Sequence, residues 1–258
     1  MYQGLFEPSR DSIPDVPALI PKLLMLPSDA TRHDIIQVLR EDDKLCEAVL
    51  RIAKKPYYSG RRPIDTLSGL VDRIGLSGIR GLALQAVLAR VVFSQPSPTM
   101  QDMWKHSLTI GHITRVICQH AAVHSETAFA VALLQHVGLA LPLALNEVSE
   151  DDMWERLEYA HEAIAGSLVK YWSLPESLCT AVLQHHRLGM GTASDDIVAT
   201  LIVADFIANN LELGLEPWVH APPLESDVEA ALAHLDLSAT RLPAIERAAA
   251  KMLQGMDA

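Results

Sequence analysis

The sequence predicts an all-α protein built as two helical bundles. Three observations carry the prediction. Ala and Leu are frequent, with apolar residues recurring at three- and four-residue spacing; sustained runs of alternating β-branched residues are missing; and Ser94 to Thr99 (SQPSPT) combines two prolines with three hydroxyl residues. The first two favour helix over strand. The third marks a junction, because proline removes backbone donors and hydroxyl residues favour turns. The expected division is an N-terminal bundle over 13–93, a second helical domain over 99–213 and a C-terminal helical extension over 214–258.

Along the chain, Pro14, Pro17 and Pro21 punctuate the start, and Lys22 to Leu26, Arg32 to Arg40 and Asp43 to Lys54 read as short amphipathic helices. In the last of these, Leu45, Val49 and Ile52 form one stripe. The basic turn KKPYYSGRRP interrupts the pattern; Asp65 to Ile74 and Ser77 to Phe93 resume it, with Gly75 as the stop between them. Beyond the junction, Gln101 to Ala122 is a long helix carrying Met103, His106, Ile110, Ile113 and Ile117 on one face. Ser125 can cap the apolar helix that follows, and Ser149 with Asp152 makes a capping-box-like start. Ser173 is the candidate cap before Pro175, and Ser194 opens Asp195 to Leu213.

Composition narrows the function classes. Ala128 to Leu145 is long and apolar, but Gln135 and His136 at its centre and Pro142 near its end predict a buried core helix rather than a membrane span. The N-terminus lacks a basic stretch followed by an apolar run, so no signal peptide is expected. The cysteines, Cys46, Cys118 and Cys179, are odd in number and far apart, as expected of reduced thiols in a cytoplasmic protein. Up to Pro98 there are 13 Lys/Arg against 11 Asp/Glu, a net of +2; from Thr99 onward 8 stand against 21, a net of −13. The acidic second part repels polyanions, so neither nucleic acid nor a membrane is an expected partner. A helix-turn-helix reading of Thr66 to Leu84 lacks base-reaching polar residues along its second helix.

Several polar groups stand inside the apolar patterns of the second part: His106, Gln135 with His136, His161, His185 with His186, and Asp205. Singly, each is an ordinary hydrogen-bonded core residue. Together they form an ordered series of metal-ligating types on successive helices. In the first part, Arg51, Lys54, Lys55, Arg61 and Arg62, with Tyr57 and Tyr58 between, make a basic turn. It reads either as a docking patch for an acidic partner or a phosphate group, or as a solvated loop.

In its motifs the chain resembles the HDOD proteins, the HD-related output-domain family of bacterial signal transduction. The first part matches in VPALIPKLLMLPSDATRHDIIQVLREDDKLCEAVLRIA and PIDTLSGLVDRIGLSGIRGLAL; the second in MWKHSLTIGHITRVI, ALLQHVGLALP, HEAIAGSLVKYWSLPESLCTAVLQHH and ATLIVADFIAN. The resemblance covers Ile13 to Leu213 and implies that the second helical bundle is a degenerate HD-like helical domain, within a signalling module acting through contacts with signalling proteins in processes such as motility, stress responses or biofilm formation. Two departures bear on chemistry. Metal-binding HD relatives carry His-Asp where this chain has Gln135-His136, and that Asp holds, or bridges, the metal. Uncharged Gln is a weak ligand, and His cannot bridge two ions as a carboxylate does. The doublet is followed by RLGMGTASDD, without the Gly-Tyr-Pro segment of the relatives that cleave cyclic di-GMP.

The expectation is therefore a non-catalytic adaptor, with no cofactor required. Two alternatives stand beside it: a metal-dependent phosphohydrolase acting on a nucleotide or cyclic dinucleotide, and a sensor of a small ligand or a single divalent metal. For the last, His106, His136, His161, His185, His186 and Asp205 are the residual ligand set, with Gln135 at the altered position.

Overall fold

The computed structural model describes residues 12–55, 58, 64–94, 97–157, 160–189, 191, 194–213 and 223–254, and these are helical with no strand among them. In chain order the helices are α1 (Leu19–Met25), α2 (Arg32–Leu39), α3 (Asp43–Ala53), α4 (Leu67–Val91), α5 (Pro98–Ile117), α6 (Ser125–Leu134), α7 (Val137–Ala144), α8 (Glu150–Leu157), α9 (His161–Tyr171), α10 (Glu176–Leu183), α11 (Asp195–Asn210), α12 (Glu225–His234) and α13 (Leu242–Gln254).

Local chemistry sets many of these boundaries. Thr31 accepts from the Asp34 N–H while the Asp34 carboxylate accepts from the Thr31 N–H, a reciprocal cap for α2. Asp42, Thr66 and Ser97 cap α3, α4 and α5 in the simpler way. Gly75 lies inside α4 at φ 66°, a left-handed conformation that glycine adopts without a Cβ penalty, and it kinks the helix at the predicted stop. Ser149 Oγ accepts from the Asp152 N–H and donates to its carboxylate, as its spacing predicts.

Three local expectations are corrected. Ser173 is not the cap of α10: it sits at φ 55°, and Pro175 occupies the N-cap position. Ser125 is the first helical residue of α6, whose N-cap, His124, makes no side-chain cap bond. The run from Ala128 to Leu145 is two helices rather than one, broken at Gln135 and His136, where His136 leaves helical geometry (φ −94°, ψ 1°) and caps α7. Every residue from Ala128 to Pro142 is buried, so protein side chains cover this apolar surface.

In the first part α4 is the spine: α1, α2 and α3 all pack on it. Arg80 of α4 fastens α1, its Nε donating to the Leu23 carbonyl at 3.0 Å and its Nη2 to that of Leu26, which satisfies carbonyls that the end of α1 leaves open. In the second part α5 is the spine, packing against α6, α11 and α13, while α7 packs on α9 and α11 on α12. The two parts meet directly, α4 against α6, and their buried residues form one continuous cluster. Phe129 of α6 lies at this meeting, fully buried, edge-on to His112 with ring centroids 5.2 Å apart. Burying such a side chain contributes about 2–3 kcal/mol. The N-terminal segment also reaches the second part, since Trp172 Nε1 donates to the Pro14 carbonyl at 2.9 Å.

Candidate functional site

Six helices, or the breaks at their ends, deliver the polar series to one region. His106 comes from the middle of α5, Gln135 and His136 from the break between α6 and α7, His161 from the first position of α9, His185 and His186 from just beyond α10, and Asp205 from α11. All but His186, which is exposed, are buried. A cavity of about 720 Å³ is walled by His106, Gln135, His136, His185, His186 and Asp205. That volume suits a small molecule.

A close tertiary contact follows the break at His136. A Cβ on Gly138 would stand 2.0 Å from the His161 carbonyl oxygen, so the missing side chain is what allows the first turn of α7 to lie against the start of α9.

The constellation divides into two groups. In the first, His106 Nε2 lies 3.2 Å from Asp205 Oδ1, and the His106 and His136 rings lie 5.3 Å apart. Ser107 Oγ is 2.9 Å from His136 Nδ1. In the second, His161 Nε2 is 3.3 Å from His185 Nε2 and 3.2 Å from His186 Nε2, and the three nitrogens converge within 4.8 Å. His185 Nδ1 faces the Val182 carbonyl at 2.7 Å. A carbonyl only accepts, so Nδ1 carries the proton and Nε2 of the neutral ring keeps its lone pair toward the other two histidines. Nitrogens around one tetrahedral Zn²⁺ would lie about 3.3 Å apart, given bonds of ~2.0–2.1 Å. The trio therefore fits a single ion, with a backbone carbonyl orienting one ligand. Gln135 and His136 line the same cavity with an amide and an imidazole.

Several contributors carry no sequence signal. Ser107 adjoins His106, and only the fold shows that it reaches His136. Arg187 follows the doublet and pairs with Glu162 of α9 at 2.6 Å. Burial pushes the Glu162 carboxyl above its ordinary range while Arg187 pulls it back. The outer wall adds Leu224, Asp227 and His234, the last two from α12, and Leu224 is largely exposed there.

The basic turn is elsewhere. Arg51 and Lys54 and Lys55 are exposed, whereas Tyr58 is buried beside His112 at a centroid distance of 6.3 Å rather than offered to solvent. Tyr57, Arg61 and Arg62 lie outside the described residues.

The family model described as HDOD domain matches residues 12–188. Among solved structures, an HDOD domain protein of unknown function from Geobacter sulfurreducens is 21% identical at TM-score 0.65, with 93% of each chain covered. A Marinobacter aquaeolei protein, assigned to signal transduction by name only, is 16% identical at TM-score 0.74, covering 99% of this chain and 61% of that one. A Shewanella amazonensis protein, assigned to phosphohydrolases by name only, is 20% identical at TM-score 0.70, covering 95% and 93%. An uncharacterized protein of Treponema pallidum (strain Nichols) is 22% identical over 200 residues; the match takes in 69% of this chain and 39% of that relative's length.

Proposed function

The chain belongs to the HDOD domain family, and from that premise we propose that it is a cytoplasmic signalling adaptor that acts by contacts with other proteins and does not hydrolyse phosphodiesters. The observation that carries this reading is the pair Gln135-His136. Hydrolysis by a metal-activated water calls for a carboxylate that neutralises and bridges the metal charge. Here that place holds a neutral amide and an imidazole engaged with Ser107. The His106–Asp205 pair is likewise turned inward. The phosphohydrolase name of the Shewanella neighbour, carried to this chain, would need the missing carboxylate.

Partner docking falls to the basic turn. Charge on the first part is net positive and on the second strongly negative, so an acidic partner is steered toward Arg51, Lys54, Lys55, Arg61 and Arg62. The test has two arms. Wild-type protein supplied with Mn²⁺, Fe²⁺ or Zn²⁺ is expected to leave bis-p-nitrophenyl phosphate and cyclic di-GMP intact; metal-stimulated turnover abolished by His161→Ala would overturn the reading. In the second arm, Arg61→Glu with Arg62→Glu is expected to abolish partner pull-down without lowering Tm. A lower Tm would make the turn an internal dock, and no effect would make it a solvated loop.

A second reading is favoured by the converged nitrogens of His161, His185 and His186: a single divalent ion held there without turnover. Such an ion would supply Lewis acidity and a coordination bond to an incoming ligand. Co²⁺ titration of chelator-treated protein should then reach one equivalent, with the visible band lost in His186→Ala.

A further inference from the structure

We propose that the histidine cavity binds a small neutral ligand by a carboxamide or lactam edge, which the side chain of Gln135 reads. Such a ligand would be held whether or not the chain docks partners through its basic turn, so its binding goes beyond the adaptor reading.

Gln135 is built into place. It is the C-cap of α6, its backbone N–H donating to the Val131 carbonyl at 2.9 Å, and the residue is only 7% exposed. It lines the cavity, and among the described residues its side chain makes no hydrogen bond. Neither amide atom is sealed in the core. A buried polar group without a partner in the fold is costly, and one that borders a cavity recovers that cost when a ligand supplies the missing hydrogen bonds.

The chemistry of the amide selects the partner. Gln offers an acceptor oxygen and donor N–H groups on one flat unit. Two parallel hydrogen bonds form with a group that presents a donor and an acceptor side by side, as the edge of a primary carboxamide or a cyclic lactam does. A carboxylate presents acceptors alone and an amidinium donors alone, so each leaves one end of the Gln135 amide unsatisfied.

The rest of the wall suits a neutral, partly apolar body. Arg187, the permanent cation among the described wall residues, is engaged by Glu162 at 2.6 Å. His234 faces Asp196 at 2.8 Å and Asp205 faces His106 at 3.2 Å. These pairs are closed within the protein, and Asp227 adds a carboxylate to the same wall, so an anion gains little there. Leu201, Ile202, Leu224 and Ala230 give the cavity apolar surface, and its volume of about 720 Å³ leaves room for more than a single ring behind the amide edge.

Isothermal titration of the full chain tests this with benzamide, benzoate and benzamidine, which share one ring and differ in the head group, and with 2-pyridone, a cyclic lactam. Saturable binding of one equivalent of benzamide or 2-pyridone is expected, about tenfold tighter than benzoate or benzamidine, unchanged by EDTA and weakened about tenfold by Gln135→Leu. Binding of benzamide alone would identify a primary carboxamide as the recognised group; binding of 2-pyridone alone would identify a lactam. Because the amide has no hydrogen-bond partner among the described residues, Gln135→Leu is expected to keep the wild-type Tm. No saturation by either amide at roughly 10 mM, benzoate or benzamidine binding as tightly, loss of binding in EDTA, or indifference to Gln135→Leu would overturn the proposal. If Gln135→Leu fails to fold, Gln135→Glu, which exchanges the amide nitrogen for oxygen at nearly equal size, takes its place, and the preference of the wild-type protein for benzamide over benzoate decides the matter without any variant.

Discussion

The two groups of the histidine constellation handle buried polarity in opposite ways. His106 faces Asp205 through Nε2 and lies ring against ring with His136, whose Nδ1 meets Ser107 Oγ, so this group is tied together by contacts within the fold. His161, His185 and His186 point three nitrogens at one place, where Nε2 of His185 offers a lone pair rather than a proton. The difference teaches that neighbouring residues of one chemical type can close on one another in one group and converge their nitrogens on a common point in the next, which is where the proposed ion would be held. Mutations in the first group should register in unfolding free energy, and mutations in the second in affinity for a cation.

The most severe way to break this arrangement is at the contact both groups share. Gly138→Ala forces a Cβ against the His161 carbonyl, backbone on backbone, and is expected to cost about 3 kcal/mol and roughly 10 °C in Tm. Thermal denaturation measures this, and wild-type stability would mean that α7 and α9 do not press on each other. His106→Ala comes next. It leaves the Asp205 carboxylate buried without its imidazole, at an expected cost of about 2 kcal/mol by urea denaturation, with Co²⁺ uptake unaltered. A cost too small to measure would remove the claim that this group serves the fold.

His112 sharpens the contrast from outside the cavity. Burial foremost, then the positive charges of Arg115 and Lys55, hold its pKa well below the ordinary 6.5. The unfolded chain therefore takes up this proton first as the pH falls. The stability tied to neutral His112 is complete above pH 6.5 and declines below it, by about 1.4 kcal/mol per pH unit, until the folded value is reached. Urea midpoints from pH 7.5 to 5 should show that slope in the wild type and a shallower one in His112→Leu. The smallest stability effect belongs to the exposed His186: His186→Ala should shift stability by no more than about 0.5 kcal/mol while weakening Co²⁺ binding at least tenfold. The reverse pattern would collapse the distinction between the two groups.

Local rules account for what could be read from the sequence. The helix start at Ser149 and the interruption at Gly75 depend on residues within four positions of one another, and both stand where their spacing placed them, whereas the helix expected from Gln101 to Ala122 begins earlier, at Pro98 behind the Ser97 cap, and ends at Ile117. The order of the polar series was legible for the same reason, since each member interrupts an apolar helical pattern. What escaped was tertiary. The apolar run Ala128 to Leu145 reads as one helix, and nothing local to it announces that Gly138 packs on the His161 carbonyl, 23 residues further along the chain. Tyr58 sits in a polar, basic segment and reads as surface, yet the ring is buried against the second part of the fold. The roles of Ser107, Arg187 and α12 likewise depend on distant chain segments arriving beside them.

Leu224, Asp227 and His234 line the histidine cavity from beyond the stretch that the family model matches, as do Leu201, Ile202 and Asp205, whereas His106, Gln135, His136, His185 and His186 lie within it. The histidine constellation and the α12 lining are thus written in separate portions of the gene. A substitution or deletion in the α12 segment can resize the doorway while the histidines beneath keep their positions, which makes this segment an interchangeable part through which one scaffold could come to recognise different guests.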